Sequence, residues 1–309
     1  SIRRKTRFGF KSRGLGDVYK RQINSLYTLT DRKNFMKLYL QEHAGVSSRR
    51  ELFNGFIADI SVDYSARSPV SNTTDYSFAD RNKRMYTPNI PENVNASGEA
   101  YEGSTAFTTG IRLQYTPGQE YISRPDVKYI IGSQYPTLSL EYRSANSWFD
   151  TDADFSILKA GVEDQMDAGI LGAFSYRVAG GLFLNGTPEY FNDYIHFNGN
   201  QTFVSSFADD RYDLLDYYGF SSDDSYLTIQ IEHSFGGFIL NKVPILRKLN
   251  LNEVLTAKYL HTESLDHYYE LGFGLEKLDT FRVDYVFSFD ENGSITSGLV
   301  LGIKGLFGP

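Results

Sequence analysis

The sequence contains no cysteine, one tryptophan and three methionines in 309 residues. Without cysteine there is no disulfide framework and no thiolate chemistry, although the compartment stays open. No run of eighteen apolar residues is present, so no segment reads as a membrane-spanning helix, and no signal peptide opens the chain. A basic surplus is also missing. The net charge is −7, and Lys and Arg cluster only at the N-terminal end, which gives no nucleic-acid signal. Neither a Gly-x-Ser-x-Gly elbow nor a phosphate-binding loop occurs, so the expectation is a protein that is not an enzyme and uses no cofactor. What the chain has in quantity is 23 Tyr and 23 Phe. Its mean hydropathy of −0.37 suits a soluble protein, but also a transmembrane barrel, where only alternate residues meet lipid.

The tail is the most regular stretch. Phe281, Val283, Tyr285, Phe287 and Phe289 alternate with Arg282, Asp284 and Ser288. Ile295, Leu299, Leu301, Ile303 and Phe307 alternate with Thr296, Gly298, Gly302 and Lys304. Before them, Tyr269, Leu271, Phe273 and Leu275 alternate with Tyr268, Glu270, Gly272 and Gly274. Side chains on a strand point alternately to opposite faces, so each segment has one apolar and one polar face. At about 9–13 residues, these segments have the length of a tilted strand crossing a bilayer. The same pattern recurs upstream. It predicts strands over 34–47, 56–67, 107–115, 138–143, 154–165, 169–184, 225–235 and 252–263, about eleven in all with the tail. Their connections sort onto two rims. One rim takes 48–54, 117–133, 166–168, 236–251 and 278–280; the other takes 68–103, 145–153, 185–224, 264–266 and 290–294. Both longest loops fall on the second rim, the asymmetry of outer-membrane barrels.

Residues 1–22 carry eight Lys or Arg and one acid, a net of +7, which leaves −14 on the rest of the chain. The segment Asp17-Val18-Tyr19-Lys20-Arg21-Gln22 looks like a translated transposon-end adapter. The expected organisation is therefore a head at 1–22, adapter-derived or disordered, before a barrel domain at 23–309, with the gene beginning upstream.

The candidate functional residues are charges on the face opposite the apolar stripe: Arg112, Glu141, Lys159, Glu163, Arg177, Glu232, Lys258, Glu270, Arg282 and Asp284. In a barrel this face lines the lumen. The plainer reading is structural pairing between neighbouring strands. The functional one is a polar pore or a docking surface for the 185–224 loop. No metal site is expected. His261 and His267 flank a short hairpin and can meet across it, but without a Cys or an HxxxH spacing loop-tip solvation is the plainer account. Asp150, Asp152 and Asp154, and Asp209 with Asp210, lack the spacing of a dedicated Ca²⁺ loop. Trp148 beside Phe149 suits an interfacial girdle or ordinary loop packing. Residues 241–249 interleave Lys242, Arg247 and Lys248 with apolar residues, as in an amphipathic rim segment.

A family resemblance is carried by Asn241-Lys242-Val243-Pro244-Ile245-Leu246-Arg247-Lys248-Leu249, Tyr269-Glu270-Leu271-Gly272-Phe273-Gly274-Leu275-Glu276 and Phe281-Arg282-Val283-Asp284-Tyr285-Val286. Glu51-Leu52-Phe53-Asn54-Gly55 and Ser71-Asn72-Thr73-Thr74-Asp75-Tyr76-Ser77-Phe78 fit it too. These resemble an uncharacterised outer-membrane family of Gram-negative bacteria whose barrel follows a carboxypeptidase-regulatory-like domain. That barrel is similar to the BamA/TamA-like surface-antigen superfamily, which has sixteen strands, five of them after a long loop that folds into the lumen. The resemblance implies the last eleven strands of a larger, sixteen-strand antiparallel transmembrane β-barrel, open or partial, with its two edges facing each other. It implies an outer-membrane location and outer-membrane lipid as partner, with periplasmic or outer-membrane proteins as further candidates. The implied role is assembly, translocation or surface anchoring. The Arg-Gly-Phe loop-tip motif of the assembly proteins has no counterpart; the nearest text is Phe203-Val204-Ser205-Ser206-Phe207. A passive or gated solute channel, and a soluble β-sandwich binding module, remain as alternatives.

Overall fold

The computed structural model describes residues 14–78, 84–91, 102–205, 210–244, 246–277 and 280–303. Residues 1–13 of the expected head, Phe207 and Asp209 of the long loop, Ile245, and Lys304 and Phe307 of the last expected strand lie outside them. Helix α1 (Gly14–Asp31) comes first and runs through the boundary expected at residue 22. The strands are β1 (Tyr39–Phe53), β2 (Phe56–Pro69), β3 (Ser104–Tyr115), β4 (Glu120–Ser123), β5 (Lys128–Gly132), β6 (Thr137–Asn146), β7 (Phe155–Asp167) and β8 (Ala173–Asn185). They continue with β9 (Val204–Ser205), β10 (Tyr226–Ser234), β11 (Leu251–Thr262), β12 (Asp266–Lys277), β13 (Phe281–Asp290) and β14 (Ile295–Ile303). Eleven of them form one antiparallel sheet in the order β1-β2-β3-β6-β7-β8-β10-β11-β12-β13-β14, so the fold is all-β. The sheet is not closed: among the described residues β1 and β14 do not pair, as in a partial barrel.

The periodicity of the sequence explains which face is which. On β13, Val283, Tyr285 and Phe287 are more than 40% exposed, while Arg282, Asp284, Val286 and Ser288 are buried. On β12, Tyr269, Leu271 and Phe273 are exposed, while Tyr268 and Glu270 are buried. Ile60, Val62 and Tyr64 on β2, Leu138, Leu140 and Tyr142 on β6, and Leu182 and Leu184 on β8 repeat the exposed apolar stripe. A water-soluble sheet hides such side chains. This one turns them outward and sets its charges on the opposite face, burying Arg67, Glu270, Arg282 and Asp284 there. The only other sheet among the described residues is the β4-β5 hairpin, itself exposed at Ile122, Ile130 and Ile131.

Three boundaries differ from the periodicity. β1 begins at Tyr39 and continues to Phe53, beyond the expected 34–47. Residues 47–53 show no apolar alternation, but pairing with β2 from Tyr39↔Pro69 to Phe53↔Phe56 satisfies the backbone groups on that side. The turn shrinks to Asn54-Gly55, where Gly55 has φ +80° and a side chain would strike the Thr116 carbonyl. β8 starts at Ala173, because Gly169–Leu171 forms a 3₁₀ turn. The 117–133 connection contains the β4-β5 hairpin, which its Tyr129, Ile130 and Ile131 help to build.

The free edge of β14 is partly covered. β9 lies parallel to it, pairing Val204 with Leu301 and Ser205 with Gly302, and the Leu301 amide donates to the Phe203 carbonyl at 3.0 Å. α1 stands beside this cap: the Phe203 amide donates to Tyr27 Oη (3.2 Å) and Asn24 Nδ2 to Tyr217 Oη (3.3 Å). The Lys37 amide, just before β1, donates to Tyr218 Oη at 2.9 Å.

Candidate functional site

Register places all ten candidate charges on the polar face, where Glu270, Arg282 and Asp284 are buried and Arg112 and Glu163 stay exposed. In one row Arg112 faces Glu141 and Glu141 faces Lys159. In a second, Glu163 faces Arg177, Arg177 faces Gln230, Gln230 faces Lys258 and Lys258 faces Glu270. Cross-strand neighbours of opposite sign stabilise a sheet, and here they close into ion pairs. Arg112 Nε donates to Glu141 Oε2 at 2.8 Å, with Lys159 Nζ 3.9 Å from the same carboxylate. Arg177 Nη2 lies 2.6 Å from Glu163 Oε2. Arg282 reaches across strands to Glu232 Oε2 and along its own strand to Asp284 Oδ1, both at 2.7 Å. Gly274 makes room for this cluster, since a Cβ there would meet the Asp284 carboxylate and lie 2.9 Å from Arg282 Nε.

Lys258 and Glu270 have a different partner. The described residues of the connection from β8 to β10, 186–205 and 210–225, fold over the polar face and dock on them. Asp213 of that loop pairs with Lys258, whose Nζ is also 3.8 Å from Glu270 Oε2. Glu270, 1% exposed, accepts the Asp213 amide at Oε2 and the Leu214 amide at Oε1, both at 2.7 Å, and the Tyr268 hydroxyl at 2.8 Å. Its carboxylate thus does for the loop what a neighbouring strand would do for an edge: it satisfies backbone donors. Arg211 Nε donates to Asp213 Oδ1 at 2.9 Å. Burial pushes the Asp213 carboxyl up, but Lys258 and Arg211 outweigh it and hold it well below the ordinary range. Burial also raises the Tyr212, Tyr217 and Tyr218 hydroxyls of the loop.

A second anchor lies at the other end of the loop. Asp193 Oδ1, on a 2% exposed residue, accepts from Arg67 Nη1 (2.8 Å) and Arg143 Nη2 (3.0 Å). Apolar contacts join the anchors: Ile195 packs with Ala106, Ala145, Phe155 and Ile157, and Tyr212 and Leu215 pack with Leu260 and Tyr268. Within the loop, Ile195 bridges Ser222 and Asn198 bridges Arg211. Buried Asn200 donates to the Thr202 and Asp213 carbonyls and accepts from the Thr202 amide and hydroxyl. The loop is therefore a folded insert, held from β2 to β14.

Arg67 and Arg143 carry the same alternation as the ten candidates and were legible in that way. Asp193 and Asp213 were not, because nothing local distinguishes them from other loop acids. His196 Nδ1 lies 2.9 Å from Ser221 Oγ. That hydroxyl donates its proton to the Tyr218 carbonyl at 2.8 Å, so the imidazole is not placed to remove it. Asp152 is tied to the Thr105 amide at 2.7 Å, which holds its carboxyl below the usual range. Trp148 and Phe149 are exposed at the same rim, their rings against Phe107. Val243 and Leu249 of the 241–249 segment are exposed at the opposite rim, where Lys242 lies over the Phe238 ring.

A family described as "Family of unknown function (DUF5686) C-terminal domain" matches residues 16–275. The chain belongs to this family. No curated protein matches it. The DUF5686 match runs from α1 into β12, so it takes in the whole docked loop and its Lys258 and Glu270 anchor, and it ends before β13 and β14.

Proposed function

We propose that this DUF5686 domain is a non-enzymatic outer-membrane β-barrel wall with its interior occupied by the 186–225 loop, serving assembly, translocation or surface anchoring. The observation that carries the reading is the inverted sheet, whose exposed face is apolar on strand after strand while its charges lie on the opposite face, where Glu270, Arg282 and Asp284 are buried. Lipid is the solvent in which such a face costs nothing. The in-folded loop placed before the last five long strands supports kinship with the BamA/TamA-like surface-antigen barrels, and with it a carboxypeptidase-regulatory-like domain upstream. A membrane of a Gram-negative cell, with lipid and other envelope proteins as partners, follows from the same reading. The docked loop favours a closed interior over a porin-like channel, so reconstituted protein is expected to give no steady ion conductance.

Leu271→Arg tests the proposal. Leu271 is 52% exposed in the middle of β12. In lipid the substitution costs about 2–4 kcal/mol near the midplane. On a water-exposed surface it stays within about 0.5 kcal/mol. Unfolding in liposomes reads the difference. Recovery of the unmodified protein from cells in the detergent-free soluble fraction, with Leu271→Arg neutral, would reject the membrane address.

A further inference from the structure

The three-residue connection between β11 and β12 brings together groups that the proposed function does not use. His261 and His267 are direct cross-strand partners, their rings 4.8 Å apart and 27° from parallel. Asp266 sits between them in the chain with φ +56°, a left-handed turn residue. One ligand atom of each of these three residues lies within 4.8 Å of the others. His261 Nδ1 is 3.2 Å from the Asp266 carbonyl, which can only accept, so Nδ1 donates there and, in the neutral ring, Nε2 is the nitrogen left for a metal. His267 Nδ1 is 2.8 Å from the Tyr259 hydroxyl. Both rings are thus oriented by a second hydrogen bond, the arrangement that fixes metal-binding imidazoles. From the neighbouring β13–β14 connection, Glu291 and Asp290 add negative charge beside this hairpin tip.

We propose that His261, His267 and Asp266 form a binding site for a divalent transition-metal ion of the zinc class. Two imidazoles with carboxylate oxygens suit Zn²⁺, Cu²⁺, Ni²⁺ or Co²⁺ rather than Ca²⁺ or Mg²⁺. Binding ties β11 to β12 across their tip, at the rim where the long loop enters. The site rests on hairpin geometry alone and does not depend on the membrane reading. Its ligands match no familiar metal motif, but the short hairpin brings them together across its two strands.

The test uses the full chain without a polyhistidine tag, in detergent micelles, titrated with Zn²⁺ by calorimetry and with Cu²⁺ followed by electron paramagnetic resonance. One equivalent is expected to bind, with two imidazole nitrogens coupled to Cu²⁺. His261→Ala and His267→Ala should each weaken Zn²⁺ binding on the order of 100-fold, and Tyr259→Phe by about tenfold, through the lost ring orientation. Asp266→Asn keeps a residue tolerant of the left-handed turn and should also weaken binding. His43→Ala, on β1, should leave it unchanged. Absence of a one-equivalent site in the unmodified chain, fewer than two coupled nitrogens, or an equal loss in His43→Ala would overturn the proposal. The spectroscopic count needs no variant, so a histidine substitution that fails to fold does not blunt it.

Discussion

Asp213→Ala is the perturbation that bears most directly on the docked loop. Removing this carboxylate takes a partner from Lys258 and from Arg211, which is 5% exposed. Breaking a buried ion pair from one side costs about 3–5 kcal/mol, because the remaining charge stays in a poor solvent. Lys258 keeps Glu270 at 3.8 Å, and Glu270 still accepts the amides of residues 213 and 214. The lower figure, about 3 kcal/mol, is therefore the better expectation, and it multiplies the undocked population about 10²-fold. Arg211 supplies the assay, since trypsin cuts after arginine and this one is buried only while the loop is docked. Limited proteolysis of the folded chain in micelles should cleave after Arg211 about 10²-fold faster in the variant, provided opening is fast relative to cleavage. Asp210→Ala changes the charge near the same bond without leaving a buried ion unpaired, and should cleave at the unmodified rate. Equal rates for Asp213→Ala and the unmodified chain would refute the claim that this pair holds the loop.

Acid should spare the docked loop until well below neutrality. The folded-state carboxyl of Asp213 lies below its ordinary value of 3.8, so its contribution is complete above that value and fades as pH falls through it; hydrogen exchange of residues 195–220 should be flat from about pH 7 to pH 5 once corrected for intrinsic rate, and rise below about pH 4. Arg282→Ala leaves buried Asp284 and its neighbour Glu232 without their shared cation and should destabilise the sheet by about 3–5 kcal/mol in urea titration; Arg282→Lys, unable to fork between two acids, should recover only part. Gly274→Ala drives a methyl into the Asp284 carboxylate and should cost about 1–3 kcal/mol, whereas Gly293→Ala, beyond β13 and with nothing near its Cβ position, should show only the strain of its φ of +72°. A Gly274→Ala variant as stable as the unmodified chain would mean that the cluster has slack.

Most of the sheet could be read in advance because its strands obey a period of two without local exceptions. The tail from Leu271 to Leu299 specified both its strands and its faces, and the ten charges fell on one face by counting alone. Where the alternation lapsed, the reading lapsed with it. Residues 47–53 have no apolar stripe, yet they are strand because β2 offers them a ladder. The 117–133 connection has apolar residues, but only the pairing of Tyr121 with Ile130 shows that they form a hairpin.

The sequence by itself determined that this chain makes long antiparallel strands with one apolar and one charged face, since that information is written residue by residue in side-chain alternation. Only the tertiary structure decided that the apolar face points outward, that the 186–225 loop fills the polar side, and that Glu270 accepts two amides from 56 and 57 residues away. The pairing of His261 with His267 across the hairpin was already open to view in the sequence, and the register bears it out. The reason is physical: alternation is a local property of the backbone, whereas the partner of a buried charge is set by register and by loop closure across the whole chain, and no short window contains either.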